Sequence, residues 1–214
     1  MTAGFSIFAD GIPFPEGPVF DSQGNLFVCA RRDGYIVKVT PDGSVHKFIE
    51  TGGKPNGLAI DAEDVLYVAD ATRREILMVD RDAHLEVLIP TACGPHELKG
   101  PNDLCFGPSG AMYFTDPGLS LSPEGVAYRY NLSTSELTLL ATGMSFPNGL
   151  AISSDEKTLL VAETMTFRLL KIDLSGPATS NPEVVAEFGD GANPDGMAWL
   201  DGDRLAVALH RAAA

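Results

Sequence analysis

Five residues with oxygen-bearing side chains recur at nearly even intervals along this 214-residue chain, each directly after a proline. They are Glu16, Asn56, Asn102, Asn148 and Asp195. Their prolines are separated by 40, 46, 46 and 47 residues. Hard divalent cations such as Ca²⁺ and Mg²⁺ prefer carboxylate and carbonyl oxygens, and this series contains no histidine or thiolate. The series therefore predicts a calcium-like metal site rather than a structural zinc site.

The same P-[N/D/E]-G pattern is also typical of an ordinary turn, because proline, asparagine, aspartate and glycine are common turn formers. Glu16 argues against the turn interpretation of the whole series, since glutamate has poor turn chemistry whereas a metal would use its charge. For Asn56 both interpretations stay open, and we expect it either to line a channel or to form a turn.

The elements that must position this series are short strands. The segments FPEGPVF, KPNGLAI, GPNDLCF, FPNGLAI and NPDGMAW each open a unit, and in the first unit NLFVCA, GYIVKV and SVHKFI follow. Four strands per period, with a period of about 40–50 residues, are typical of a propeller blade. Sustained helical periodicity is absent, and a β-sandwich would not explain the repeat. We predict an all-β fold, a single β-propeller domain over residues 1–214 with repeats starting near residues 15, 55, 101, 147 and 194.

A propeller brings equivalent residues of successive blades to the same height around one central channel. The recurring oxygen-bearing residues should therefore converge, although 40 or more residues separate them in sequence. No G-x-S-x-G nucleophile elbow is present, so a covalent serine mechanism is not indicated.

Composition excludes several classes of function. The net charge of −14 disfavours nucleic acid and anionic membranes as partners. Cys29, Cys93 and Cys105 lack C-x-x-C spacing, which indicates reduced thiols in a cytosol. The N-terminus has no signal-peptide pattern, and no apolar run is long enough to span a bilayer. We expect a cytoplasmic protein that acts on a small molecule, with its oligomeric state open.

Four segments resemble, in order, the motifs of the SMP-30/gluconolactonase/luciferin-regenerating-enzyme family. They are FPEGPVF, GPNDLCFGPSGAMYFTDP, FPNGLAISSDEKTLLVAET and NPDGMAW, and the resemblance runs from about residue 12 to residue 210. It implies a β-propeller of the six-bladed type with one catalytic divalent cation, Ca²⁺ first and Zn²⁺ as the alternative. It also implies the hydrolysis of small, sugar-type lactones.

The resemblance carries over to particular residues. Glu16, Asn148 and Asp195 match the family's metal ligands, and Asp195 is also the expected general base. Asn102 matches a polar residue at the metal and substrate, and Asp103 follows it in the motif. In the implied reaction the metal polarises the lactone carbonyl while Asp195 assists the attack of water.

Two departures from the family affect the expectations. Some characterised lactonases of the family carry an arginine two residues before the position of Asn102, where this chain has Gly100. We therefore leave the identity of the lactone open and name His96, with Lys99, as alternative substrate contacts.

The second departure is length, because the repeats encode only about four and a half blades. We expect the metal pocket to form locally but with weakened affinity, since part of its wall is missing. The alternative to a gluconolactonase-like hydrolase is thus a truncated propeller that binds a metal or ligand without turnover.

Overall fold

The computed structural model describes residues 6–118, 122–176, 179–189, 191–200 and 204–211. These residues form an all-β fold of consecutive antiparallel sheets. The first sheet contains β1 (Pro15–Phe20), β2 (Leu26–Ala30), β3 (Tyr35–Val39) and β4 (Val45–Glu50). The second contains β5 (Pro55–Ile60), β6 (Leu66–Asp70), β7 (Glu75–Val79) and β8 (Leu85–Ile89).

A small hairpin of β9 (Ala92–Cys93) and β10 (His96–Glu97) leads to the third sheet. That sheet contains β11 (Leu104–Phe106), β12 (Met112–Asp116), β13 (Gly125–Asn131) and β14 (Glu136–Met144). The fourth contains β15 (Pro147–Ile152), β16 (Thr158–Glu163), β17 (Arg168–Asp173) and β18 (Glu183–Glu187). A two-stranded sheet follows, made of β19 (Ala192–Trp199) and β20 (Leu205–Arg211). The prediction of a β-propeller with about four and a half blades is confirmed.

The blades pack face to face, and the second strands of the middle blades are buried on both faces. All five residues of β6 and of β12 are buried. One apolar cluster joins the first blade to the second through Cys29, Leu58 and Val68. Equivalent clusters join the second blade to the third and the third to the fourth. Burial of apolar surface between neighbouring blades therefore stabilises the fold.

The first strands of successive blades also contact one another, in the order β1, β5, β11, β15 and β19. The fifth sheet is tied to the fourth by Trp199, whose indole Nε1 donates a hydrogen bond to the carbonyl of Ile152 at 2.7 Å. This chain of inner strands is what brings the recurring residues together. No helix in the described part of the chain is long and apolar enough to span a membrane.

Candidate functional site

The regular pairing of the inner strands with their neighbours is interrupted at the recurring residues. The pairing of β1 with β2 shifts between Glu16 and Val19, and that of β15 with β16 shifts between Pro147 and Leu150. The second and fifth blades shift at the corresponding position. A β-bulge leaves residues unpaired and redirects their side chains, and bulges are frequent beside active sites. The motifs of these blades thus lie within strands and not in the turns of the alternative interpretation.

The third blade reaches the same arrangement slightly differently. Its strand β11 begins only at Leu104, yet Asn102 and Asp103 still pair with β12 through Thr115. The N–H of Asn102 donates to the carbonyl of Thr115 at 2.9 Å, and the N–H of Thr115 donates to the carbonyl of Asp103 at 3.0 Å. The backbone of this motif is therefore held as firmly as in its neighbours.

The glycine that follows the recurring residue allows the inner strands to approach. A Cβ atom added to Gly149 would lie 2.3 Å from the carbonyl oxygen of Asp195 in the next blade. A Cβ atom added to Gly57 would lie 2.6 Å from the Cα atom of Asp103. Only glycine fits between such strands, so these two glycines serve close packing between blades.

All five recurring residues line one cavity of about 660 Å³. Asp103 lines it as well, so the structure brings together five of the six predicted site residues: Glu16, Asn102, Asp103, Asn148 and Asp195. Asn56 lines the cavity too, which answers the question left open by its sequence. The remaining wall is partly apolar, with Leu150, Met197 and Ala198 among its residues. A cavity of this size and composition can hold a small organic molecule.

The carboxamides are oriented by hydrogen bonds from their nitrogen atoms. Asn148 donates from Nδ2 to Oγ1 of Thr164 at 3.2 Å, and Thr164 donates in turn to the carbonyl of Pro194 at 2.7 Å. Asn56 donates from Nδ2 to the carbonyl of Asn102 at 3.1 Å. Each contact uses an N–H of the Nδ2 group, and no described residue donates to the Oδ1 atoms of Asn148 and Asn56, which can accept from a ligand.

Asn102 holds an acceptor without a partner. Its side chain is buried, and its Oδ1 atom receives no hydrogen bond from any residue that the structure describes. An unsatisfied buried acceptor costs about 1–3 kcal/mol. A cation or a substrate hydroxyl would satisfy it, so the donor set and this unpaired oxygen both fit a bound cation.

The carboxylates of the cavity repel one another. Burial raises the pKa of Glu16 above its ordinary value, and the charge of Asp195 raises it further. Arg31 and His210 oppose this increase. A divalent cation among these groups would favour their ionised forms, because an opposite charge lowers the pKa of an acid.

Asp103 is more strongly affected. Burial raises its pKa to about 7, with a further contribution from the charges of Asp195 and Glu16. Hydrogen bonds from the N–H groups of Leu104 and Leu150 limit the increase. The bond from Leu104 to Oδ1 of Asp103 is 2.9 Å long. Asp103 therefore connects the third and fourth blades at the cavity wall.

Three buried carboxylates that we did not predict hold the segments entering the inner strands. Asp70 accepts a bond from the N–H of Lys54 at 2.8 Å, and Asp116 accepts one from Lys99 at 2.6 Å. Glu163 accepts one from Ser145 at 2.6 Å. The sequence does contain a signal for them, because VLYVAD, AMYFTD and TLLVAE all end in an acidic residue. They position the recurring residues without lining the cavity.

His96 lies apart from the other predicted site residues. It belongs to β10, and its ring packs edge-on against Tyr128 with 5.3 Å between ring centroids. It is not part of the cavity wall as the described residues define it. Lys99, its companion in the prediction, has its Nζ atom 3.6 Å from Glu124. This placement gives the predicted substrate role of His96 no support.

The cavity wall includes residues that sequence reasoning missed, among them Phe14 and His210. Phe14 is 57% exposed and adopts a positive φ of 53°. His210 extends from β20, the second strand of the fifth sheet. Phe14 begins the repeated segment FPEGPVF, whereas His210 belongs to no repeated motif, and only the arrangement of the blades shows that both line the cavity.

A second cluster of possible metal ligands lies on the surface, where Asp80, Asp82 and His84 form the turn between β7 and β8. Asp80 accepts hydrogen bonds from the N–H groups of Asp82 and His84, both at 2.9 Å. The turn explains this cluster without an ion, since aspartate commonly caps turns in this way.

Comparison with known proteins agrees with these observations. Residues 14–213 match the model of the SMP-30/Gluconolactonase/LRE-like region. A gluconolactonase of Zymomonas mobilis is 31% identical over 181 residues, which cover 74% of this chain and 51% of that protein. A lactonase, drp35, of Staphylococcus saprophyticus is 31% identical over 91% of this chain and 63% of that protein. The chain thus spans between half and two thirds of the length of these relatives.

The fold comparison points the same way. The solved structure of a gluconolactonase from Xanthomonas campestris superposes with a TM-score of 0.83 and 26% sequence identity, covering 94% of this chain and 71% of that one. The match to the family model covers most of the chain and includes all five residues of the recurring series. The chain belongs to the SMP-30/gluconolactonase/LRE-like family.

Proposed function

We propose that this protein is a divalent-metal-dependent hydrolase that opens small, sugar-type lactones. One observation carries the proposal: five oxygen-bearing side chains from five blades line a single cavity, and the Oδ1 atom of Asn102 has no partner there among the described residues. The names of the relatives, a gluconolactonase and a lactonase, support the same reaction class.

Glu16, Asn148 and Asp195 are the residues that would hold the cation. All three offer oxygen atoms, which favours Ca²⁺ over metals that prefer nitrogen or sulfur, with Zn²⁺ as the alternative. When bound, such a cation supplies Lewis-acid chemistry and lowers the pKa of water. The repulsion between Glu16 and Asp195 indicates a site that gains stability from positive charge.

The protein's own groups perform the remaining steps. Asp195 accepts the proton of the attacking water as general base, which typically contributes about 10²- to 10⁴-fold in rate. Asn102 presents its unpaired Oδ1 atom to a substrate hydroxyl, and Asp103 supports it from the adjoining position. The apolar wall of Leu150, Met197 and Ala198 excludes water from one side of the lactone ring.

The proposal is tested by proton release during hydrolysis of glucono-δ-lactone. The purified chain is treated with a chelator and then supplied separately with Ca²⁺, Zn²⁺, Mg²⁺ or Mn²⁺. Asp195→Asn removes the general base, and Asp82→Asn, which makes the same change in the exposed β7–β8 turn, is the matched control. We expect a cation to restore turnover in the wild type and in Asp82→Asn, and a loss of about 10²-fold or more in Asp195→Asn.

Two other outcomes would contradict the proposal. Turnover that persists in the presence of chelator would exclude metal dependence. A folded chain that binds Ca²⁺ by calorimetry but hydrolyses no lactone with any of the four cations would identify a binding propeller without turnover.

A further inference from the structure

Arg31 lies on the first blade, near enough to Glu16 for its charge to act on that carboxylate. It follows β2, and its N–H donates to the carbonyl of Phe14 at 3.3 Å. Glu16 pairs with Cys29 in the same ladder, two residues further along each strand. Arg31 and Phe14 therefore continue the pairing of β1 with β2 beyond Pro15 and Ala30, at the end where Glu16 lies.

The guanidinium group of Arg31 is without a polar partner in the part of the chain that the structure describes. It makes no hydrogen bond or ion pair with any described residue, and its Nε atom is buried and unsatisfied. Other arginines of this chain are paired: Arg73, for example, contacts Glu75 at 2.7 Å and the carbonyl of Thr51 at 2.8 Å. Burying an unpaired donor is unfavourable, so the position indicates a missing acceptor.

The guanidinium of Arg31 faces a residue of the cavity wall. Its Cζ atom is 5.9 Å from the centre of the Phe14 ring, and Phe14 forms part of the cavity wall. The charge of Arg31 also acts on Glu16, whose carboxyl pKa it lowers against the effect of burial. His210 is a second basic side chain on this cavity. Arg31 and His210 are therefore two basic side chains whose charges act on Glu16 in an otherwise acidic cavity.

Resting on the lactonase function proposed above, we propose that Arg31 determines specificity by binding the carboxylate of a lactone that carries one, such as an aldarolactone. A guanidinium group presents its N–H donors in a planar fork that matches the two oxygens of a carboxylate. The ring of Phe14 covers one side of that contact and limits its exposure to water. A neutral lactone would enter the same cavity but leave the fork unpaired.

The test compares an anionic with a neutral substrate. Values of kcat/KM are measured for D-glucaro-1,4-lactone and for glucono-δ-lactone with the wild type, Arg31→Gln, Arg31→Lys and Arg32→Gln. Arg32 is the matched control, because its side chain is 72% exposed and pairs with Asp33 at 3.2 Å. We expect the ratio of anionic to neutral kcat/KM to fall about 10-fold or more in Arg31→Gln, as for loss of a hydrogen bond to a charged group. Arg31→Lys should lie between Arg31→Gln and the wild type, and Arg32→Gln should keep the wild-type ratio.

A second measurement separates this proposal from the lactonase function. Calorimetry with the dianion D-glucarate measures binding without turnover, and we expect Arg31→Gln to bind it at least about 10-fold more weakly than Arg32→Gln does. If no lactone is hydrolysed but this difference appears, the hydrolase proposal fails and the anion subsite stands. Equal effects of the Arg31 and Arg32 variants on both measurements would overturn the proposed anion subsite. A decrease in kcat/KM of Arg31→Gln that is the same for both lactones would also overturn it.

Discussion

The close approach of inner strands makes Gly149 the most informative position for testing the fold around the cavity. A Cβ atom there would lie 2.3 Å from the carbonyl oxygen of Asp195, 2.7 Å from Cα of Gly196 and 2.9 Å from the N–H nitrogen of Met197. Ordinary contact starts at 3.4 Å, so the fourth and fifth sheets must separate by about 1 Å in Gly149→Ala. All three contacts are with backbone, which cannot rotate aside.

Overpacking of this kind typically lowers the free energy of unfolding by about 1–3 kcal/mol, and the backbone contacts place the expectation for Gly149→Ala at the upper end. Gly196 is the matched control, because it follows Asp195 in the equivalent motif and a Cβ atom there meets no atom within 4 Å. Where the conformation allows it, replacing glycine by alanine stabilises a protein by about 0.4–1 kcal/mol. Gly196→Ala should therefore be as stable as the wild type or slightly more stable.

The assay is urea unfolding followed by far-UV circular dichroism and by tryptophan fluorescence. Trp199 is the sole tryptophan, and its bond to Ile152 lies across the junction that Gly149→Ala disturbs. The fluorescence transition of Gly149→Ala should therefore occur at lower urea concentration than that of the wild type. Equal midpoints for Gly149→Ala and Gly196→Ala would refute the argument that glycine is required by contact between blades.

Two further predictions concern buried carboxylates. Asp70→Ala should lower the free energy of unfolding, measured in urea, by about 3 kcal/mol or more. Asp70 is fully buried, and its removal leaves the N–H groups of Lys54 and Arg73 without their acceptor. A decrease below about 1 kcal/mol would contradict this prediction. Asp70→Asn retains one acceptor oxygen and should lose less stability than Asp70→Ala. In metal-free protein the pKa of Asp103 is raised to about 7 from an ordinary value of 3.8. The folded state therefore binds this proton more tightly than the unfolded state does, and the free energy of unfolding falls as pH rises from about 4 to 7. Asp103→Asn should therefore be more stable than the wild type at pH 8 and lose that advantage at pH 4, and thermal melting with chelator at both values checks it.

The repeat made much of the fold predictable. Proline, a polar residue and glycine return with a blade-like period, and short alternating strands follow each copy. Local patterns of this kind persist in the folded state because each blade is built mainly from strands that are neighbours in sequence. Convergence of the recurring residues on one cavity then follows from the geometry of a propeller.

The recurring residues were easier to predict than the buried carboxylates that hold their strands in place. Asp70, Asp116 and Glu163 look like ordinary strand ends in the sequence, and only their contacts reveal that they hold the inner strands. His96 is close in sequence to Asn102, yet it lies against Tyr128 and outside the cavity wall that the described residues form. Proximity along a loop is a poor guide to proximity in space.

The sequence by itself thus determined the repeating architecture and the chemical character of the inner residues, because both depend on patterns within a single blade. Tertiary structure alone decided that Phe14 and His210 line the cavity and that Arg31 lies against the ring of Phe14. It also decided how strongly the carboxyl groups act on one another, as in Asp103. These properties depend on distances between residues of different blades, and packing of whole sheets sets those distances.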